Sequence, residues 1–224
     1  MKKLTKEQQA LLSPLQAIQL LKDGNKRFVN NLKVNRNLLE QVNETSEGQF
    51  PFAVILSCID SRTSAELIFD QGLGDIFSIR IAGNIMNDDI LGSMEFSCKV
   101  AGAKLIAIIG HTSCGAINGA CDHVQMGNLT SLLHKIKPAL DAEKDTITNR
   151  NSSNKGFVDR VAALNVKNTM HQVLDKSPIL CEMIKDGQLA IIGGMYNVVS
   201  GMVDFYEQQA LNEDVLISAN TISI

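Results

Sequence analysis

Four short, almost unbroken apolar runs limit what this chain can become: Ala53–Ser57 (AVILS), Ile76–Ile81 (IFSIRI), Leu105–Ile109 (LIAII) and Leu189–Ile192 (LAII). A strand with one wet face alternates apolar and polar residues. A run without alternation reads as a strand covered on both faces, the habit of parallel sheets. Stretches of helical character lie between the runs, Asp88–Val100 among them, and two or more helices separate the third run from the fourth. The alternation predicts an α/β fold: a single three-layer domain around a central, mostly parallel sheet of about four to five strands, with right-handed crossovers.

A chain of 224 residues accommodates one such domain, and it carries no internal repeat. The expected division is an N-terminal helical arm over about 1–48 and an α/β core over about 49–224. Ser13-Pro14 supplies a cap and a first-turn proline. Leu15, Ile18, Leu20 and Leu21 follow at helical spacing, and the helix runs through Phe28 into an Asn-rich connector. With few partners of its own, the arm is expected to pack on the domain or on a second subunit. The polar, low-complexity stretch Glu143–Gly156 (EKDTITNRNSSNKG) is expected to be a mobile surface loop.

Composition narrows the function. The net charge is −3 and no Lys/Arg cluster could track a phosphate backbone, which argues against nucleic acid as a partner. No run reaches the roughly 18 apolar residues of a membrane span. The Lys2-Lys3 start has no apolar core behind it and does not read as a secretory signal, so a cytoplasmic location is expected. Five cysteines are too few for a disulfide framework and leave one unpaired. They read instead as core residues, metal ligands or nucleophiles.

Two clusters carry chemistry. Cys58-Ile59-Asp60-Ser61-Arg62 follows the first strand, and His111-Thr112-Ser113-Cys114 follows the third strand and Gly110. Ligands of open α/β sheets collect beyond the carboxyl ends of the strands, so the two clusters can meet. Two thiolates and one imidazole suit Zn²⁺, and three protein ligands leave the fourth tetrahedral position open, as in catalytic sites. Taken singly, a buried cysteine is usually a small hydrophobe and a histidine after a strand usually a hydrogen-bonded loop residue. Together, beside an Asp-x-Arg pair, they predict a zinc centre on Cys58, His111 and Cys114. Cys98, Cys121 and Cys181 fall in apolar helical patterns and read as packing residues. His123, His134 and His171 are surface or packing positions that qualify as proton shuttles by composition alone.

Cys-x-Asp-Ser-Arg followed by His-x-x-Cys resembles the β-carbonic anhydrases. The resemblance extends to Arg80-Ile81-Ala82-Gly83-Asn84, with Ile81 in place of the usual Asn, and to Leu91-Gly92-Ser93-Met94-Glu95-Phe96. It includes Gly110–Ala116, a weaker Tyr196–Gly201 pattern, and Gly24-Asn25-Lys26-Arg27-Phe28 in the arm, covering about residues 14–206. It implies one Zn²⁺ per subunit, a catalytic dyad of Asp60 and Arg62, and reversible hydration of carbon dioxide to bicarbonate and a proton by zinc-bound hydroxide. Arg62 would keep Asp60 ionised and turned away from the metal, ready to accept a proton. The resemblance further assigns Gln49 to a substrate-contacting amide and Phe77 and Ala82 to the pocket wall. Gly83 would let the backbone approach closely, and Phe96 matches a position where a neighbouring subunit usually offers Tyr. A homodimer or homotetramer is implied. A bicarbonate-regulated form of the family uses a Trp, an Arg and a Tyr; Ile55 stands at the Trp position, so that regulation is expected to be absent. Two alternatives remain: a hydrolase of carbon disulfide or carbonyl sulfide on the same fold, and a non-catalytic zinc-binding protein.

Overall fold

The computed structural model describes residues 3–206. The apolar runs become strands β1 (Ala53–Ser57), β2 (Ile76–Arg80), β3 (Leu105–His111) and β4 (Ala190–Tyr196), joined by a short β5 (Val203–Phe205). They form one sheet in the order β2-β1-β3-β4-β5. All pairings are parallel except the antiparallel β4–β5 pair. β1 and β3 are buried at every position, as unbroken apolar runs require. β2 departs from that expectation. Ser78 and Arg80 are exposed and Phe77 and Ile79 half-buried, because β2 lies at the sheet edge with a neighbour on one side only.

The helices, in chain order, are α1 (Lys6–Leu11), α2 (Pro14–Val29), α3 (Leu38–Glu44), α4 (Ala65–Ile68), α5 (Asp88–Glu95), α6 (Gly115–Cys121), α7 (Gly127–His134), α8 (Lys137–Ala142), α9 (Lys155–Lys176) and α10 (Pro178–Lys185). A 3-10 turn, Ala82–Asn84, follows β2, and a π-helical turn, Phe96–Val100, extends α5. α2 and α4 cover one sheet face, while α5, α9 and α10 cover the other. α6, α7, α8 and the start of α9 close over the carboxyl end of the strands, together with Cys58 and Cys114.

The arm packs on its own domain. Ser13 caps α2 reciprocally: its hydroxyl accepts from the Gln16 N–H while the Gln16 side chain accepts from the Ser13 N–H. Ala17, Ile18 and Leu21 then bury against Ile55, Leu105 and Ile192, and each larger aliphatic contributes about 1.5–3 kcal/mol. Buried Asp70 ties the arm down, accepting from Arg27 Nε (2.5 Å) and from Arg36. Burial alone would raise its pKa, but the bonds from Arg36 and Arg27 hold it below the usual carboxylate range.

The polar stretch after α8 is not a free surface loop. Glu143, 3% exposed, accepts from Arg150 Nη1 (2.7 Å), Arg160 Nε (2.9 Å) and the Thr146 hydroxyl (2.8 Å). A carboxylate with those partners can be buried, and it pulls the segment inward. Cys98 and Cys121 are buried and Cys181 partly so, as packing residues should be, and burial pushes the Cys98 thiol up to about 12.

Candidate metal centre

β1 and β3 are neighbours with Ser57 opposite Ile109. Cys58, one residue past β1, and His111, the last residue of β3, therefore emerge at the same end of the sheet. Ser113 adopts a left-handed φ of 57° and turns the chain sharply. The turn is pinned to the end of β4 and the segment beyond it. The Thr112 N–H donates to Tyr196 O (3.0 Å), and the Thr112 hydroxyl accepts from the Val198 N–H (3.1 Å). Cys114 follows at the N-cap of α6.

All three residues are buried, and their donor atoms lie within 4.8 Å of one another. The two sulfurs are 3.9 Å apart. Sulfurs about 2.3 Å from one tetrahedral cation stand about 3.8 Å apart, so the spacing already fits zinc. His111 Nδ1 lies 3.0 Å from Thr112 O, which assigns its proton there. That leaves Nε2 as a lone-pair donor, buried and without a hydrogen-bond partner. An orphaned imidazole nitrogen beside two buried thiols is the donor set of a catalytic zinc site.

The electrostatics agree. The contact with the Cys114 thiol pulls the Cys58 pKa down against the opposing effect of burial, with help from the Gly83 N–H. Cys114 is correspondingly raised, by its bond to Cys58 and by burial. A divalent cation held by both sulfurs would displace their thiol protons.

Asp60 and Arg62 follow Cys58 in the loop after β1. The Asp60 carboxylate accepts three bonds from Arg62: N–H and Nε to Oδ1 (2.9 Å each) and Nη2 to Oδ2 (2.8 Å). The Arg62 side chain holds Asp60 well below the usual carboxylate range. The loop beneath is braced twice. The Thr63 hydroxyl sits against Cys58 O (3.1 Å) and Asp60 O (2.9 Å). Arg80 reaches across from β2, donating through Nε to Cys58 O (3.1 Å) and Nη2 to Asp60 O (2.5 Å). Behind the cluster the Gly83 N–H donates to Cys58 Sγ at 3.4 Å. Gly83 has φ 68°, and an added Cβ would lie 2.9 Å from Ile136 Cδ1 and 3.2 Å from Ala116 Cβ, so only glycine fits.

Sequence reasoning missed Asn165, whose Nδ2 holds Gly83 O at 2.7 Å, and Thr169, whose hydroxyl holds Asn84 O at 3.2 Å. The available signal was two polar side chains four residues apart in the apolar stripe of α9. Arg80 as a loop brace was missed too; nothing short of the β1–β2 register reveals it.

Ala82 and Gly83 lie in the turn beside Cys58. Gln49, Phe77 and Phe96 do not join them. Gln49 is exposed ahead of β1, and Phe77 pairs with Val54, toward the opposite end of the strands from the sulfurs. Phe96 is 55% exposed, with its ring edge-on to Phe77 at 6.4 Å.

Comparison with known proteins gives one consistent result. The family model described as carbonic anhydrase matches residues 53–203. The carbonic anhydrase of Mycolicibacterium smegmatis is 32% identical over 198 residues, covering 86% of this chain and 93% of that protein. Carbonic anhydrase 2 of Mycobacterium tuberculosis is 34% identical over 196 residues, covering 84% and 91%. Among solved structures, the β-carbonic anhydrase CafA of Aspergillus fumigatus superposes with a TM-score of 0.68 at 25% identity, covering 82% of this chain and 88% of that one. One of two tetrameric β-carbonic anhydrases from Sordaria macrospora superposes at 0.65 and 25% identity, covering 83% and 91%. A sheet that gathers two thiols and an imidazole at one end, in a chain this similar to these proteins, leads to one conclusion: it is an enzyme of the β-carbonic anhydrase family.

Proposed function

We propose that the enzyme reversibly hydrates carbon dioxide to bicarbonate and a proton, using one zinc ion per subunit on Cys58, His111 and Cys114 and a dyad of Asp60 and Arg62. The observation that carries this is the sulfur spacing of 3.9 Å beside the partnerless His111 Nε2. Zinc bound there supplies a Lewis acid that acidifies water near neutral pH. The protein's part is positional and protonic. Asp60 Oδ1 accepts twice from Arg62 and Oδ2 once, so Oδ2 keeps a lone pair free to accept a hydrogen bond. The same fork keeps the carboxylate from swinging onto the cation.

Ala82 and Gly83 line the substrate side of this subunit's centre, where the 3-10 turn lies against Cys58. Gln49, Phe77 and Phe96 point to a second role for the partner subunit. Lying away from their own sulfurs, they reach a substrate pocket only across a homodimer or homotetramer, and the Sordaria relative is described as tetrameric. Phe96 closes such a pocket without the hydroxyl a Tyr would offer. Arg80 is engaged with two backbone carbonyls and Ile55 is buried inside β1, which supports an enzyme without cooperative bicarbonate inhibition. All five cysteines are free, which suits the reducing cytoplasm.

Stopped-flow measurement of carbon dioxide hydration, with metal analysis of the same sample, tests the proposal. Stoichiometric zinc and fast hydration are expected, and both should be lost in Cys114→Ser. A zinc-free active protein, or a Cys114→Ser variant as fast as the unmodified one, refutes it.

A further inference from the structure

α9 passes behind the metal centre with a mostly apolar face, which buries Val161, Val166 and Val173. Asn165 and Thr169 interrupt that face. They are one helical turn apart and therefore side by side, each 1% exposed. Both aim at the same short segment. Asn165 Nδ2 donates to Gly83 O at 2.7 Å, and the Thr169 hydroxyl donates to Asn84 O at 3.2 Å.

For packing alone this is a poor choice of residues. Asn165 Oδ1 is buried without a hydrogen-bond partner, and so is Asn84 Nδ2. An unpaired buried amide atom costs stability, and an apolar side chain of similar volume would avoid that cost. What the amide does provide is direction. Gly83 has the least intrinsic backbone restraint of any residue type, so its orientation depends on what grips the peptides around it. Asn165 grips its carbonyl, Thr169 grips the next one, and the Asn84 N–H is held by Ile81 O at 2.9 Å. The group so oriented is the Gly83 N–H, 3.4 Å from Cys58 Sγ.

We propose that Asn165 and Thr169 are positioning residues of the metal centre: through Gly83 and Asn84 they keep the Gly83 N–H on Cys58 Sγ and fix the direction in which that sulfur faces the cation. The inference rests on the zinc reading above. It adds a line of control from a helix that carries no ligand, by the logic in which outer hydrogen bonds orient inner donors.

The test uses the full-length protein with zinc or cobalt(II), beside Asn165→Leu and Thr169→Val, both close in shape to the residues they replace. Two readouts separate positioning from structure: the thiolate-to-cobalt charge-transfer band, and the rate of zinc release to an excess of chelator. In Asn165→Leu the band is expected at longer wavelength, because a sulfur relieved of its hydrogen bond gives up charge more easily. Zinc release is expected to be roughly ten-fold faster, and thermal stability equal to or above that of the unmodified protein. Thr169→Val should shift both readouts in the same direction by less. Unchanged bands and release rates within two-fold in both variants overturn the proposal. If Asn165→Leu does not fold, Thr169→Val decides alone, and an unchanged band there overturns it. An unmodified protein that takes up neither metal refutes the zinc reading and this inference with it.

Discussion

Replacing Gly83 by alanine should damage the protein from the inside, and its size can be worked from the surroundings. Gly83 has φ 68°, a left-handed conformation that costs an alanine about 1–2 kcal/mol. The added methyl would sit 2.9 Å from Ile136 Cδ1 and 3.2 Å from Ala116 Cβ. Ile136 is fully buried and cannot swing into solvent, and forced overpacking of this kind costs a further ~1–3 kcal/mol. The expected loss is about 2–5 kcal/mol. Gly92 supplies a control of opposite sign. It lies exposed within α5, and nothing is within 4 Å of an added Cβ. Gly92→Ala should therefore stabilise by about 0.5–1 kcal/mol, through helix propensity alone. Urea unfolding of both variants in excess chelator, which removes metal linkage, reads the two values. A Gly83→Ala loss below about 1 kcal/mol, or a Gly92→Ala loss of any size, would refute the steric reasoning.

Asp60→Asn removes the proposed carboxylate acceptor but none of the proposed metal ligands, so zinc content should hold while kcat falls about 100-fold or more; a kcat within a few-fold of normal sinks the acceptor role. Glu143→Ala leaves the Thr146 hydroxyl and two guanidiniums without their buried carboxylate. Because Arg150 and Arg160 are 34% and 46% exposed, solvent screens much of the charge. The loss should be about 2 kcal/mol, or about 4–8 °C in Tm, and a shift under about 2 °C shows the segment to be a dispensable loop after all. Asp70 titrates below its unfolded value of about 3.9, so its contribution is full above that pH and disappears as pH falls through the lower folded value. The urea midpoints of the unmodified protein and Asp70→Asn should differ at pH 7 and converge below about pH 4; a constant gap refutes the linkage.

The parts of this molecule that could be read in the sequence are those where cause and effect lie close together. β1 and β3 are unbroken apolar runs because both faces are covered, and their lack of alternation says so directly. Ser13 with Pro14 announces the start of α2 within two residues. Cys58 and His111 were recognisable because ligands at strand ends follow from sheet geometry. What escaped depends on distant pairings. β2 looked fully buried until the strand order made it an edge. β5 is three residues long and exists because β4 offers it a partner. Glu143 reads as an ordinary surface acid until Arg150 and Arg160 fold over it. Asn165 looks like a blemish in α9, and only its contact with a carbonyl 82 positions away explains it.

The placement of the ligands on neighbouring strands has a further consequence. Cys58 meets His111 and Cys114 because β1 is aligned against β3 at one particular step. A slip of one residue would carry the first sulfur about 3.3 Å along the strand and turn it to the opposite side of the sheet. A molecule assembled one step out would then offer the cation two donors in place of three, and would forgo the stabilisation that capture brings. Metal uptake at the proposed centre would thus inspect the finished thread of the chain. Supply of the ion would then select for correctly aligned molecules, and its removal would narrow the energetic gap between them and their misaligned copies.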